Sequence, residues 1–181
     1  KRSLPHWQQD GATYFVTFRL VDSLPKEVFD RWREEMNLAL HEAAQNTKLT
    51  ESENREAAES IFEEYRDKLD RHLDEGIGEC WLRSPEVSDI VEKALHHFDG
   101  ERYQLGSYVI MPNHVHALVR PAMGHKLPDI LQAWKSFTAK EANKVLGRTG
   151  EFWQPESFDH IVRDEQYLEK FGRYIEENPV K

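Results

Sequence analysis

Apolar and β-branched residues crowd together in Tyr14-Phe15-Val16-Thr17-Phe18-Arg19-Leu20, a composition that predicts a buried strand. Asp22-Ser23-Leu24-Pro25 then breaks the pattern, and the period changes from two to nearly four. Val28, Trp32, Met36, Leu38 and Leu40 recur at helical spacing from about Lys26 to Gln45. Ala58, Ile61, Phe62, Tyr65 and Leu69 do the same from about Glu51 to Leu73. These two stretches read as a helical hairpin, ended by Gly76-Ile77-Gly78. Ser84-Pro85 predicts a third helix, with Ser84 as cap and Pro85 in the first turn, running to about Phe98.

Tyr103 to Met111 and His114 to Arg120 read as two strands joined at Pro112-Asn113. Leu127 to Val145 is amphipathic, with Ile130, Leu131, Trp134, Phe137 and Val145 as its apolar stripe. A fourth strand falls within Phe152 to Val162, and a last helix runs from Asp164 to Glu177. With the hairpin set aside, the order is strand, helix, strand, strand, helix, strand, helix. That order predicts an α+β fold: a ferredoxin-like antiparallel sheet with helices on one face, plus an added C-terminal helix. The reading is a single domain over 1–181 with an acidic helical insertion at about 40–79.

Length and charge refine this picture. A chain of 181 residues is long enough to bury a core without staples. No apolar run approaches the roughly 18 residues of a membrane span, and the first residues do not resemble a signal peptide. Cys80 is the lone cysteine, so an internal disulfide and a cysteine-based zinc site are excluded. The expectation is a cytoplasmic protein with no membrane partner. The net charge of −9 argues, taken whole, against a nucleic-acid partner. The charge is unevenly placed, however. Glu51 to Glu79 holds eleven acids and four bases, whereas Arg102 to Arg148 holds seven bases and two acids. Lys135, Lys140 and Lys144 lie opposite the apolar stripe of their helix, with Arg148 just beyond, and such cations suit phosphate contacts. Solvated helix faces explain the same asymmetry.

Two constellations carry possible chemistry. His114 and His116 stand two apart on a strand, so both project from one face and can converge on one metal ion while Val115 packs on the other. Two histidines with no shared role fit the same spacing. Tyr174 and Asn178 stand four apart on one helix face. Asn178 can offer an oxygen to a hard cation such as Mg²⁺ or Mn²⁺, and Tyr174 a phenol. A core tyrosine and a helix-end asparagine are the plain alternative. Together the two pairs suggest phosphoryl transfer: a metal-polarised phosphate attacked by a tyrosine to form a phosphotyrosine, which retains the energy needed to rejoin a strand. Tyr167, about two turns before Tyr174, is a rival nucleophile. Trp134, Phe137, Trp153 and Phe158 suit either base stacking or core packing, and His160 reads as structural.

The block Tyr108-Val109-Ile110-Met111-Pro112-Asn113-His114-Val115-His116 resembles the HUH signature of the IS200/IS605-type Y1 transposases. More narrowly, the chain resembles the REP-associated tyrosine transposases. Trp134-Lys135-Ser136-Phe137-Thr138, Phe152-Trp153-Gln154, Asp159-His160-Ile161-Val162-Arg163 and Tyr174-Ile175-Glu176-Glu177-Asn178-Pro179-Val180 fit as well. So do Leu4-Pro5-His6-Trp7 and the first strand. The resemblance implies an HUH nuclease fold and metal-dependent cleavage and rejoining of single-stranded DNA through a 5′-phosphotyrosine. It implies His114 and His116 as metal ligands, Tyr174 as nucleophile and Asn178 as a third ligand. It also implies imperfect DNA hairpins in repetitive extragenic elements as substrate, a nucleoid location, and a monomer or homodimer. Two rivals remain open at this level: a hairpin-binding protein without catalysis, and a phosphodiesterase using water.

Overall fold

A computed structural model describes residues 11–46 and 48–178; Leu4-Pro5-His6-Trp7, Pro179 and Val180, cited above, lie outside them. Its sheet is built around β1 (Thr13–Arg19), which is buried on both faces. Tyr14, Val16 and Phe18 face the main core, and Phe15, Thr17 and Arg19 face the other way. A strand buried on both sides reads as a nearly unbroken apolar run, which is why this segment was legible. β2 (Tyr103–Ile110), β3 (His114–Pro121) and β4 (Phe158–Val162) complete a four-stranded sheet of order β2-β3-β1-β4. Every neighbouring pair is antiparallel. β1 and β2 therefore run parallel with β3 between them, the split βαβ arrangement of a ferredoxin-like fold.

α3 (Pro85–His96) and α4 (Leu127–Val145) cover one face. Val87, Val91, Leu95, Ile130, Leu131 and Trp134 pack there against Val115, Ala117 and Val119 of β3. α5 (Glu165–Glu177) packs on β2, β3 and β4, and its Phe171 stacks on Phe15, ring centroids 4.5 Å apart. Phe15 faces away from the main core, so α5 lies on the opposite side from α3 and α4. One extra residue in β2 between Leu105 and Tyr108 bulges the strand. Gly106 sits in that bulge because a Cβ there would meet the Leu118 Cβ at 3.0 Å.

The chain divides into two compact units, 22–78 and the remainder. The first holds α1 (Lys26–Ala44) and α2 (Glu51–Asp74). Within it, Phe29 meets Tyr65 at 6.5 Å and Trp32 meets His72 edge-on at 5.7 Å. Thr50 and Glu53 form a capping box at the start of α2. No described helix is long and apolar enough to cross a membrane.

Several side-chain expectations are corrected. Leu38 is 60% exposed, and Phe29, absent from the expected stripe of α1, is buried instead. On α2, the charged Glu59, Arg66 and Asp70 are buried beside Tyr65 and Leu69, a pattern that hydrophobic period alone does not reveal. Ser84 occupies the cap position of α3 but makes no side-chain cap hydrogen bond. On α4, Phe137 and Val145 are exposed, and Thr138 and Ala142 take the buried positions. Small residues there let the helix approach the sheet, and the Thr138 hydroxyl both donates to Trp134 O and accepts from Trp153 Nε1.

Candidate metal and nucleophile site

His114 and His116 point from β3 toward the α5 side, while Val115 is in the main core. Both imidazoles are fully buried. Their Nε2 atoms lie 3.0 Å apart. Two nitrogens each about 2.1 Å from one ion, subtending about 90°, would be separated by about that distance. The rings are held from behind. His114 Nδ1 is 2.8 Å from the Asn113 side-chain oxygen, which can only accept, so the proton sits on Nδ1 and the lone pair on Nε2. His116 Nδ1 is 2.7 Å from the Thr17 hydroxyl across the β1–β3 ladder. Burial pushes the His114 imidazole down to about 3, so it is neutral, the form that ligates metals.

Tyr174 belongs to the same cluster. Its ring meets His116 edge-on at 5.6 Å and Phe15 at 6.1 Å, and Phe15 also stacks on His116 at 5.3 Å. Tyr167 lies further out on α5, against Phe171 at 6.4 Å and beneath Lys170 at 5.7 Å. Asn178, the residue after α5, is fully buried, and among the described residues neither its amide oxygen nor its amide nitrogen has a hydrogen-bond partner. An orphaned buried amide costs free energy unless something completes it. Among the described residues no three His, Cys, Asp or Glu side chains form a metal-binding group. An amide oxygen such as that of Asn178 is a donor type that suits a hard cation beside two imidazoles.

The four expected DNA-contacting cations do not join this site. α4 packs on the opposite face of the sheet, and two of the four are consumed by the fold. Lys135 Nζ donates to Pro155 O at 3.0 Å and Ser157 Oγ at 2.9 Å. Arg148 donates to Asn143 Oδ1 at 2.7 Å and Glu151 O at 3.0 Å, and lies over Trp81. Lys144 pairs with Glu141 at 2.8 Å, and Lys140 is exposed. Trp134, Trp153 and Phe158 are core residues. His160 is buried against Phe171, in keeping with a structural role.

Sequence reasoning missed Thr17, Asn113, Phe15 and Arg19. Arg19 is 1% exposed and is the register partner of His114. The alternation Phe15, Thr17, Arg19 along β1 carried a signal, because one face of a buried strand was turning polar.

Residues 82–178 match the family model described as IS200-like transposase. No curated protein matches the chain. Among solved structures, the chain is similar to the REP-associated tyrosine transposase bound to a REP hairpin. That match has 13% identity and a TM-score of 0.52, covering 99% of this chain and 73% of that one. It is also similar to a candidate transposase from Deinococcus radiodurans R1, with 15% identity and a TM-score of 0.37, covering 96% and 95%. The family model spans more than half of the chain and takes in His114, His116, Tyr174 and Asn178, so this chain belongs to the IS200-like transposase family.

Proposed function

We propose that this protein is a metal-dependent single-stranded DNA endonuclease and strand transferase that acts at hairpins through Tyr174. One observation carries the reading: a converging, buried imidazole pair with a tyrosine ring packed edge-on against it. Single-stranded DNA carrying imperfect, REP-like hairpins is the proposed substrate, supported by the family and by the hairpin held in the structurally similar transposase.

His114 and His116, with Asn178 as third ligand, would hold Mg²⁺ or Mn²⁺. The ion, when bound, polarises the scissile phosphate and offsets the charge that develops on it. Asn113 and Thr17 orient the imidazoles, and Phe15 packs against both His116 and Tyr174. Tyr174 loses its phenolic proton and its oxygen bonds to phosphorus. The bond to the 3′ oxygen breaks, and that oxygen leaves protonated as a free 3′-hydroxyl. Rejoining reverses these steps with a second 3′-hydroxyl, so no nucleotide cofactor is consumed.

The test is a labelled single-stranded oligonucleotide with a REP-like hairpin, incubated with protein and Mg²⁺ or Mn²⁺ and run under denaturing conditions. The expected result is a covalent adduct that survives Tyr167→Phe and disappears with Tyr174→Phe and with His114→Ala. Metal-dependent cleavage that persists in Tyr174→Phe would show that water is the nucleophile. Hairpin binding without cleavage in the unmodified protein would make it a binding protein only.

A further inference from the structure

The positive segment from Arg102 to Arg148 has seven bases, and the structure separates those already committed from those still free. Lys135 and Arg148 fasten loops, Lys144 pairs with Glu141, and Arg102 lies 3.5 Å over the Phe98 ring. Of the remaining three, Lys140 is exposed on α4, while Arg120 and Lys126 are exposed and hold no side-chain hydrogen bond or ion pair among the described residues, and the same is true of His125. Arg120, His125 and Lys126 line one open cavity of about 780 Å³ beside Gln104 and Gly124. None of the described residues lining it is acidic, in a protein whose net charge is −9. α4 begins at this cavity with Lys126 at its cap position and no side-chain cap, which adds the positive end of a helix dipole to the three side chains.

Position matters as much as charge. Along β3, strand alternation puts Arg120 on the same face as His114 and His116. It stands four residues beyond His116, about 14 Å at ~3.4 Å per residue. Gln104 is its register partner on β2. The cavity lies at this end of the strands: Arg120 and Gln104 enter it from the histidine face, and Tyr14, Tyr103 and Leu127 from the face that α4 covers. A strand whose scissile phosphate lay at the histidines would therefore reach its rim within a few nucleotides. Lys140 and Lys144 lie about four turns or more beyond Lys126 along α4, roughly 20 Å or more from the cavity end of the helix.

We propose that the Arg120–His125–Lys126 cavity binds the phosphodiester backbone of single-stranded DNA flanking the cleavage site. The proposal rests on the DNA reading above, and its test separates the two. Binding of a labelled single-stranded hairpin oligonucleotide would be measured from low to high salt. The comparison is between unmodified protein, the double variant Arg120→Gln with Lys126→Gln, and the double variant Lys140→Gln with Lys144→Gln. Each phosphate contact to a single strand contributes about 0.7 to the slope of log affinity against log salt. Loss of two contacts should flatten the slope by about 1.4 and weaken binding about 25-fold at 0.1 M salt. The variants on α4 should bind as the unmodified protein does. Unchanged affinity and slope in the Arg120/Lys126 variant, or an equal loss in the α4 variant, overturns the assignment of this surface alone. An unmodified protein that binds no hairpin DNA overturns the DNA reading with it.

Discussion

Thr17 tests whether the two imidazoles form a cation site or merely fill space. Its hydroxyl lies 2.7 Å from His116 Nδ1 and is 2% exposed. His114 presents a lone pair at Nε2 because its Nδ1 faces the Asn113 oxygen. With no ion between the rings, His116 donates from Nε2 across the 3.0 Å gap, and the Thr17 hydroxyl donates to Nδ1. With an ion held, the His116 proton must sit on Nδ1, and the same hydroxyl must accept it. A hydroxyl can play either part; an alkyl group can play neither. Thr17→Val therefore keeps the shape and removes a bond to a nitrogen sealed from water, at a cost of about 1–3 kcal/mol. Supporting partners of ligating histidines are worth roughly 10–100-fold in metal affinity. Titration of Mn²⁺ into the protein, followed by calorimetry or by the loss of the free-ion electron paramagnetic resonance signal, should show a dissociation constant raised by that factor. Thr17→Ser should bind like the unmodified protein. A Thr17→Val variant that melts lower but keeps full Mn²⁺ affinity would refute the positioning argument, and absence of His114-dependent Mn²⁺ binding in the unmodified protein would refute the site itself.

Two further outcomes follow from the same geometry. Lys135 ties α4 to the segment before β4 through Pro155 O and Ser157 Oγ. Lys135→Met should therefore lower stability by about 1–3 kcal/mol in thermal or denaturant melts, whereas Lys140→Met, at an exposed position, should change it by less than about 0.5 kcal/mol. Equal effects would deny Lys135 its fastening role. Burial first, and then the Glu92 carboxylate that its hydroxyl contacts at 2.7 Å, push the Tyr108 phenol up to about 12 from an ordinary 10.0. A raised folded value means that this contribution to stability is whole below the unfolded pKa of about 10 and is lost as pH climbs through the folded one. Phenolate absorbance should show one tyrosine ionising near pH 12 that is missing from Tyr108→Phe; identical curves would overturn the assignment.

The elements were legible where one physical requirement dominated the local sequence. β1 and β3 are buried on both faces, so their apolar density showed through. The span Leu127–Val145 emerged from its helical period with bounds that match the structure. Identifying what lies against each face was harder. Phe137 and Thr138 are adjacent, and hydrophobicity favours burying the first, yet Thr138 is 1% exposed and Phe137 52%. The hydroxyl is tolerated inside because Trp153 Nε1 and Trp134 O both complete it, and those partners are distant or invisible to a reading by period. Glu59, Arg66 and Asp70 on α2 went unseen for the same reason: burial of a charge depends on surroundings brought in by the fold.

The candidate site shows the same division between local and non-local information. His114 and His116 were paired by the two-residue repeat of a strand, and Tyr174 and Asn178 by the turn of a helix; both are local geometries. That Tyr174 meets the histidine pair on one face of one sheet is a property of the topology. β3 lies next to β1 only because the βαβ unit is split, and that adjacency delivers Thr17 to His116 and Phe15 to both His116 and Tyr174. Charge obeys the same logic. Counted along the chain, the lysines of α4 form the natural phosphate-binding row, because helical spacing gathers them opposite an apolar stripe. Placed in the fold, that row is across the sheet from the histidines. Arg120 has few cationic neighbours in sequence, yet it points from the histidine face into a cavity at the strand ends to which the start of α4 brings Lys126 and His125. Under the proposed DNA reading, the cations that the fold gathers within reach of the histidines, rather than the density of lysine along the sequence, decide where a strand's backbone is held.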